Sequence, residues 1–219
     1  MMDRVSKVLV VDDSAYVRKT IKQILSRSPY LEVVGTARDG EEALQLVREL
    51  KPDVVTVDLI MPGMDGAEFT RQVMALHPVP VVVVSIASES SERVLAALDA
   101  GAIDFVQKPT ALATEKVFEI SEELIAKVRA AGHAPIARIR PQAVEVGVGP
   151  SPLQGTAGRG LVDIVVIGIS TGGPQALKSV VPQLPADLPV PVAIVLHMPV
   201  GYTEMYARRL DDISALTVS

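Results

Sequence analysis

The sequence predicts an α/β protein: a five-stranded, doubly wound parallel sheet, then a linker and an incomplete second α/β domain. Three observations support this fold class. Short valine-rich runs alternate five times with amphipathic helical patterns before residue 132, which is typical of a parallel sheet. Several runs are almost continuously apolar, as in strands covered on both faces. A stretch rich in glycine and proline then precedes a further strand and helix pattern.

The five strands of the first part are predicted from these apolar runs. In the first, third, fourth and fifth of them, polar or charged residues stand at the carboxyl end or directly after it. In order they are KVLVVDD from Lys7 to Asp13, a run from Leu31 to Thr36, VVTV from Val54 to Val57, PVVVVSI from Pro80, and DFVQKP from Asp104.

Helical patterns, with apolar residues spaced three and four apart, fill the intervals between the strands. Ser14 is suited to cap the first helix, and Lys51-Pro52 closes the second. The third helix is expected from about Gly66 to Leu76. The segments SERVLAALDAGA and TEKVFEISEELIAKVRAAG give the fourth and fifth helices. We therefore assign the first domain to residues 1–131.

Residues 132–160 differ in kind from what precedes them. These 29 residues hold six glycines and four prolines without a sustained period, so they are predicted to form a flexible linker. Residues 161–219 then repeat the strand and helix pattern: LVDIVVIGIS, PQALKSVVPQL, PVAIVLH, YTEMYARRLDDI, and ALTVS as the start of a third strand. Because two or three strands make no closed core, we expect this second domain to be incomplete.

The composition excludes several functional classes. Aromatic residues make up 3% of the chain and the formal net charge is -5, which argues against nucleic-acid binding. No apolar run approaches the roughly 18 to 20 residues that span a bilayer, and the N-terminus is not that of a signal peptide. With no cysteine in the sequence, we expect no disulfide. A cytoplasmic protein is the simplest interpretation.

The polar strand ends of the first part predict a site. Because the carboxyl ends of parallel strands lie along one edge of the sheet, we expect the side chains that follow them to meet there. They are Asp12 and Asp13 after strand one, Asp58 after strand three, Ser85 in strand four and Lys108 in strand five. Each of these residues has an alternative role as a helix cap, turn residue or surface charge.

Clustered acids need a cation, because two carboxylates about 4 Å apart repel by roughly 4 kcal/mol at an effective dielectric constant near 20. Oxygen ligands of this kind suit Mg²⁺. A lysine and a hydroxyl beside them can contact a phosphoryl group. Together these residue types point to phosphorylation of an aspartate, with the carboxylate as nucleophile.

Residues 3–130 strongly resemble the receiver domains of two-component response regulators, which have a flavodoxin-like fold. The resemblance implies that Asp58 is the phosphoacceptor and that Asp12 and Asp13 hold Mg²⁺ together with Asp58 and the Ile60 carbonyl. It also implies that Ser85 and Lys108 contact the phosphoryl group. Phe105 occupies the position of the family's switch aromatic residue.

A second candidate site lies at GISTGGP. Ser170 stands where a strand turns into a helix, and His197 ends the next strand, so the imidazole is a candidate general base for the hydroxyl. Backbone N–H groups at Thr171, Gly172 and Gly173 are candidates to stabilise an oxyanion. The residues alone leave two alternatives open: a serine that only caps the helix, and a turn that cradles a phosphate.

The segments IGISTGGPQAL and VLHMPVGYTEMYARRL resemble the start of the catalytic domain of the chemotaxis protein-glutamate methylesterases (CheB type). These enzymes also have an N-terminal receiver and a linker. The resemblance implies hydrolysis of glutamyl methyl esters, and deamidation of glutamines, on methyl-accepting chemoreceptors, with a chemotaxis histidine kinase as phosphodonor. Ester hydrolysis itself needs no cofactor.

One element of that family is absent from the sequence. The aspartate that completes the family's catalytic triad has no counterpart here, and Asp211 and Asp212 do not match its motif. We therefore expect this chain to be inactive as an esterase. The alternative function is a stand-alone phosphoacceptor receiver that acts as a binding switch with a non-catalytic tail.

Overall fold

The structure, a computed structural model, describes residues 4–86, 91–108, 116–134, 162–198 and 201–219. Two parallel sheets are present in these ranges. The five strands of the first sheet are β1 (Ser6–Val11), β2 (Leu31–Ala37), β3 (Val54–Val57), β4 (Val81–Ile86) and β5 (Asp104–Lys108).

The first sheet has the strand order β2-β1-β3-β4-β5 and is parallel throughout. The prediction of a five-stranded doubly wound sheet is confirmed. Its inner strands are mostly buried, including all four residues of β3, as expected from their continuous apolar sequences. The edge strand β2 is only partly buried.

Five helices cover the two faces of this sheet: α1 (Ala15–Leu25), α2 (Gly40–Leu50), α3 (Gly66–Leu76), α4 (Ser91–Asp99) and α5 (Lys116–Gly132). The side chains of Ser14, Asp39 and Asp65 cap the first three by accepting backbone N–H bonds. Two separate hydrophobic clusters fill the two faces. One includes Phe69 of α3 and Leu95 of α4, and the other includes Ile21 of α1 and Leu124 of α5.

The second sheet consists of β6 (Val165–Ile169) and β7 (Val192–Leu196), which pair in parallel. The helix α6 (Gly173–Val180) continues into one 3₁₀ turn (Val181–Gln183), and α7 (Thr203–Asp211) follows β7. Residues 135–160 of the predicted linker lie outside the described residues, and Gly132, its first residue, is the last residue of α5.

The prediction of a third strand at the C-terminal ALTVS is wrong. Residues 215–219 have no strand assignment, because local side chains satisfy their amides in place of a neighbouring strand. The Val218 N–H donates to Asp211 Oδ1 at 2.8 Å, and the Leu216 N–H donates to Ser214 Oγ at 3.0 Å.

The second part packs on the first through α4 and β5. Leu177 and Val181 from the α6 region and Tyr206 from α7 are buried in the same hydrophobic cluster as residues of α3 and α4. This contact fixes where the second candidate site lies relative to the first sheet. None of the helices in the described ranges is long and apolar enough to cross a membrane.

Candidate functional site

The three predicted acids come together at the carboxyl edge of the first sheet. Asp12 and Asp58 each follow the last residue of their strand directly, and these last residues, Val11 and Val57, are paired in the parallel register. The Asp58 N–H continues the ladder by donating to the Val11 carbonyl at 3.0 Å. One carboxylate oxygen from each of Asp12, Asp13 and Asp58 lies within 4.8 Å of the others. The predicted convergence of the acids is therefore present.

Lys108 reaches the same cluster from β5. Its Nζ lies 2.6 Å from Asp12 Oδ2 and 2.8 Å from Asp58 Oδ2. Asp12, Asp58 and Lys108 are all buried, so this contact is an ion-paired centre largely withdrawn from water. A buried ammonium between two carboxylates partly neutralises them and is well placed to contact an anion that joins Asp58.

Burial raises the pKa of the Asp58 carboxyl above its ordinary value of 3.8. The Asp12 carboxylate acts in the same direction. The Lys108 charge, its hydrogen bond and the Leu59 N–H act in the opposite direction without cancelling the rise. Once it is ionised, a carboxylate with a raised pKa is more basic and therefore more nucleophilic than an ordinary aspartate. This environment suits a carboxylate that attacks phosphorus.

Ser85 lies in β4, one strand over from Asp58. Its hydroxyl oxygen is buried and has no hydrogen-bond partner among the residues that the structure describes. Such an orphan hydroxyl is uncommon in folded proteins and calls for an explanation. Val83 pairs with Val57 in the parallel register, so Ser85, two residues further along β4, lies towards the same sheet edge as Asp58. A free hydroxyl donor at this edge suits a site for a transient phosphoryl oxygen.

The acid cluster fits a hard divalent cation. Its three carboxylates provide only oxygen ligands, as Mg²⁺ prefers, and Asp13 is exposed, so water has access to complete the coordination. Ile60 lies in the loop after Asp58 and is half-buried. Its carbonyl remains a predicted ligand.

The loop after Asp58 is shaped by glycine. Gly63 has a φ of +76°, a conformation that other residues adopt only with strain. At Gly66 a Cβ atom would lie 2.2 Å from the Asp58 carbonyl oxygen and 2.9 Å from Leu59 Cα. The start of α3 therefore packs directly against the backbone that carries the candidate acceptor, and only glycine permits that approach.

The second candidate site is partly assembled. Ile169 pairs with Leu196 in the β6–β7 register, so Ser170 and His197, the next residues on each strand, lie at the same sheet edge. Both are exposed. No hydrogen bond joins their side chains in the described part of the chain.

The turn after Ser170 has the predicted strand-to-helix geometry. Gly172 has a φ of +80°, and a Cβ on Gly173 would lie 3.1 Å from both Ile169 and Leu196. The Gly173 N–H donates to the Ser170 carbonyl at 2.7 Å, so it is engaged within the turn. In this conformation Thr171 and Gly172 are the better oxyanion candidates of the predicted three.

The structure adds a contact that the sequence analysis missed, here termed the α4–β5 contact. On the first domain it comprises Leu98, Asp99, Ala102 and Phe105, and on the second part it comprises Gln175, Lys178, Tyr202 and Arg209.

The polar half of this contact holds the end of α4. The Gln175 side-chain amide donates to the carbonyls of Leu98 and, at 2.9 Å, Ala102. Lys178 and Arg209 each pair with one oxygen of Asp99. Burial lowers the pKa of the Lys178 ammonium to about 8. The sequence carries no signal for these bonds, because polar residues on α6 and α7 look like ordinary solvated helix faces.

The aromatic half involves the predicted switch residue. The Phe105 ring is buried and its centroid lies 5.0 Å from that of Tyr202. On the other side the Lys127 ammonium lies 5.4 Å from the Phe105 centroid and donates to the Phe105 carbonyl at 2.8 Å. Phe105 is therefore enclosed by both parts of the chain.

Comparison with known proteins agrees with this geometry. Residues 8–119 match the family model of the response regulator receiver domain, and residues 165–219 match that of the CheB methylesterase. The response regulator domain of Thermotoga maritima CheB is 40% identical in sequence. That crystal structure superposes with a TM-score of 0.56 over 60% of this chain and 99% of its own length.

Two curated relatives match almost the whole chain. Protein-glutamate methylesterase/protein-glutamine glutaminase 5 of Myxococcus xanthus is 52% identical over 97% of this chain and 60% of its own length. The protein-glutamate methylesterase/protein-glutamine glutaminase of Geobacillus kaustophilus is 48% identical over 97% of this chain and 61% of its own length. The chain thus spans about three fifths of the length of these relatives. It belongs to the response regulators of the CheB type, with a receiver domain followed by a segment of the CheB methylesterase domain.

Proposed function

We propose that the first domain is a phosphorylation switch in which Asp58 accepts a phosphoryl group from a chemotaxis histidine kinase. An ionised Asp58 oxygen attacks phosphorus, the bond between phosphorus and the kinase's histidine nitrogen breaks, and the nitrogen keeps the electron pair. The product is an aspartyl phosphate. The ion-paired centre of Asp12, Asp58 and Lys108 supports this role, because it combines a nucleophile with a cation for the transferred oxygens.

Mg²⁺ is the cofactor we propose for this step, held by Asp12, Asp13, Asp58 and the Ile60 carbonyl. When bound, it neutralises charge that builds up on the transferred group. The chain's own residues supply the rest. Lys108 pairs with a phosphoryl oxygen in place of an Asp58 oxygen, and the unpartnered Ser85 hydroxyl donates to another.

The second part carries the residues of the proposed ester hydrolysis, which we expect only in a longer chain that also supplies the missing aspartate. Ser170 Oγ attacks the glutamyl methyl ester of a chemoreceptor while His197 takes its proton and passes it to the departing methanol. Water then releases the acyl-enzyme. Amide N–H groups at Thr171 and Gly172 stabilise the oxyanion. The shared edge of β6 and β7, which places both residues side by side, supports this assignment.

The α4–β5 contact links the two activities in our proposal. Gln175 and Tyr202 lie close in sequence to Ser170 and His197, respectively, and both contact the receiver. In the unphosphorylated state the receiver is held against this part. Because Ser170 and His197 are themselves exposed, we propose that the docked receiver hinders the approach of a chemoreceptor and does not cover these two side chains. Phosphorylation of Asp58 draws Ser85 towards the phosphoryl group and repositions Phe105, which weakens the contact.

A cytoplasmic location is consistent with this scheme and with a chain that has no cysteine. The proposed partners are the kinase as phosphodonor and methyl-accepting chemoreceptors as substrate. We propose no role in nucleic-acid binding.

The observation that carries the proposal is the placement of Lys108 Nζ between Asp12 and Asp58. The experiment that tests the whole scheme begins with the genomic sequence beyond the codon for Ser219. If it continues into a glycine-rich segment with an aspartate, that longer chain should release methanol from methylated chemoreceptors faster when a phosphodonor is present. Asp58→Asn should abolish the stimulation. Stimulation that survives Asp58→Asn would contradict the scheme, and a stop codon would leave the binding switch as the function.

A further inference from the structure

The guanidinium of Arg18 binds the backbone of the acid pair. Its Nη1 donates to the Asp12 carbonyl at 2.6 Å and to the Asp13 carbonyl at 3.0 Å. Arg18 lies in α1, one turn after the cap residue Ser14, and is half-buried. One side chain therefore ties the two consecutive peptides that carry the candidate metal ligands to the first helix.

The other contacts of this turn secure Asp12 more than Asp13. The Asp12 N–H donates to the Ala37 carbonyl at 3.1 Å, and Asp12 Oδ1 accepts the Ser14 N–H at 2.9 Å. Asp13 is exposed, and its carbonyl is the group that Arg18 holds. The position of the Asp13 carboxylate relative to Asp58 thus depends on the peptide that Arg18 fixes.

A guanidinium here has two opposite effects on a cation. Its positive charge repels Mg²⁺, so removing the charge alone should tighten binding. Its two hydrogen bonds preorganise the ligands, so removing them should weaken binding. Weaker Mg²⁺ binding after removal of the guanidinium therefore indicates a positioning role. Tighter binding indicates that Arg18 acts only through its charge.

We propose that Arg18 is a positioning residue of the phosphoacceptor site, which fixes the Asp12–Asp13 turn through its carbonyls so that both carboxylates face Asp58. This inference rests on the proposed receiver chemistry. Arg18 does not touch the phosphoryl group or the cation; it acts through the two peptides that it binds.

The test is Mg²⁺ binding to the 219-residue chain, measured by titration calorimetry with MgCl₂ alone. Arg18→Met should raise the dissociation constant roughly tenfold, as is typical when a partner behind a metal ligand is lost. Arg18→Lys keeps the charge and one donor group. Its dissociation constant should therefore lie between those of the unsubstituted chain and of Arg18→Met. Lys19→Met is the matched control, because Lys19 is the exposed neighbour of Arg18 on α1. Losing its charge should leave the affinity unchanged or slightly tighter.

Thermal melting of each variant separates positioning from unfolding. If Arg18→Met melts at a much lower temperature than the unsubstituted chain, the comparison rests on Arg18→Lys. That variant should keep the fold and still bind Mg²⁺ more weakly than the unsubstituted chain. If folded Arg18 variants bind Mg²⁺ as tightly as the unsubstituted chain, or more tightly, the positioning role of Arg18 is overturned. The proposed receiver chemistry would be unaffected by that result. Absence of Mg²⁺ binding by the unsubstituted chain overturns the proposed receiver chemistry, and this inference with it.

Discussion

The Phe105 and Tyr202 rings lie with their centroids 5.0 Å apart and their planes tilted by 39°. Phe105 belongs to β5 of the receiver, and Tyr202 immediately precedes α7 of the methylesterase segment. Lys108, which ion-pairs with Asp58, is three residues from Phe105 on the same strand. One short strand therefore connects the acid cluster to the second part of the chain.

Replacing Tyr202 should loosen the α4–β5 contact. Tyr202→Ala removes the aromatic partner of Phe105, worth roughly 0.5 to 1.5 kcal/mol beyond the buried area. Hydrogen exchange at the end of α4 should become several-fold faster. Tyr16→Ala is the control, because Tyr16 is 61% exposed. If the two variants exchange at the same rate, the ring pair does not stabilise the contact.

Asp58→Asn should stabilise the folded chain at neutral pH. Because burial raises the folded-state pKa of Asp58, the carboxyl favours folding below its unfolded-state pKa and loses that contribution as the pH rises through its folded-state pKa. Asparagine avoids the cost of ionisation. We expect urea unfolding at about pH 7.5 to show a gain on the order of 1 kcal/mol.

The pH dependence of this gain is its check. The gain should shrink as the pH of the unfolding measurement is lowered from 7.5, because a growing fraction of Asp58 is then protonated in the folded state. Asp187→Asn is the matched control, since Asp187 is exposed in a loop. A gain that does not change with pH would mean that the charge of Asp58 is not its source.

Gly66→Ala should destabilise the receiver and disturb Asp58. The added Cβ would lie 2.2 Å from the Asp58 carbonyl oxygen, so the backbone of the β3–α3 loop must move. We expect a loss of roughly 2 to 4 kcal/mol in the free energy of unfolding. Gly168→Ala is the control, because no heavy atom lies within 4 Å of the Cβ it would add. Equal stability of the two variants would show that the close approach at Gly66 is not required.

Ser85→Ala should separate stability from signalling. The hydroxyl has no hydrogen-bond partner in the described part of the chain, so its removal should leave the melting temperature unchanged or slightly higher. The phosphorylated chain should nevertheless lose its effect on the α4–β5 contact, measured by hydrogen exchange with and without a phosphodonor. Thr56→Val is a suitable control, because Thr56 also has a buried hydroxyl oxygen without a partner. A normal phosphorylation response in Ser85→Ala would remove Ser85 from the switch.

The sequence predicts the first domain well because its signals are local or periodic. Valine runs fix the strands, and the predicted cap Ser14 fixes the start of the first helix. The parallel topology then brings Asp12, Asp58 and Lys108 to one edge without further information. The contacts of Arg18 could not be predicted from the sequence, because it binds backbone carbonyls, which every residue has.

The contact between the two parts could not be predicted in the same way. Lys178 and its partner Asp99 are 79 positions apart in the sequence, and this pairing is set by how two domains dock, not by a local pattern. The expected third strand failed for a related reason. An apolar alternation such as ALTVS forms a strand only where a neighbouring strand accepts its hydrogen bonds.

The most direct test of the central claim is phosphorylation of the chain by acetyl phosphate with Mg²⁺, followed by intact mass spectrometry. The account predicts a mass increase of one phosphoryl group, which is lost on treatment with hydroxylamine, requires Mg²⁺ and is absent from Asp58→Asn. Phosphorylation that persists in Asp58→Asn, or that proceeds equally well in Lys108→Met and without Mg²⁺, would contradict it.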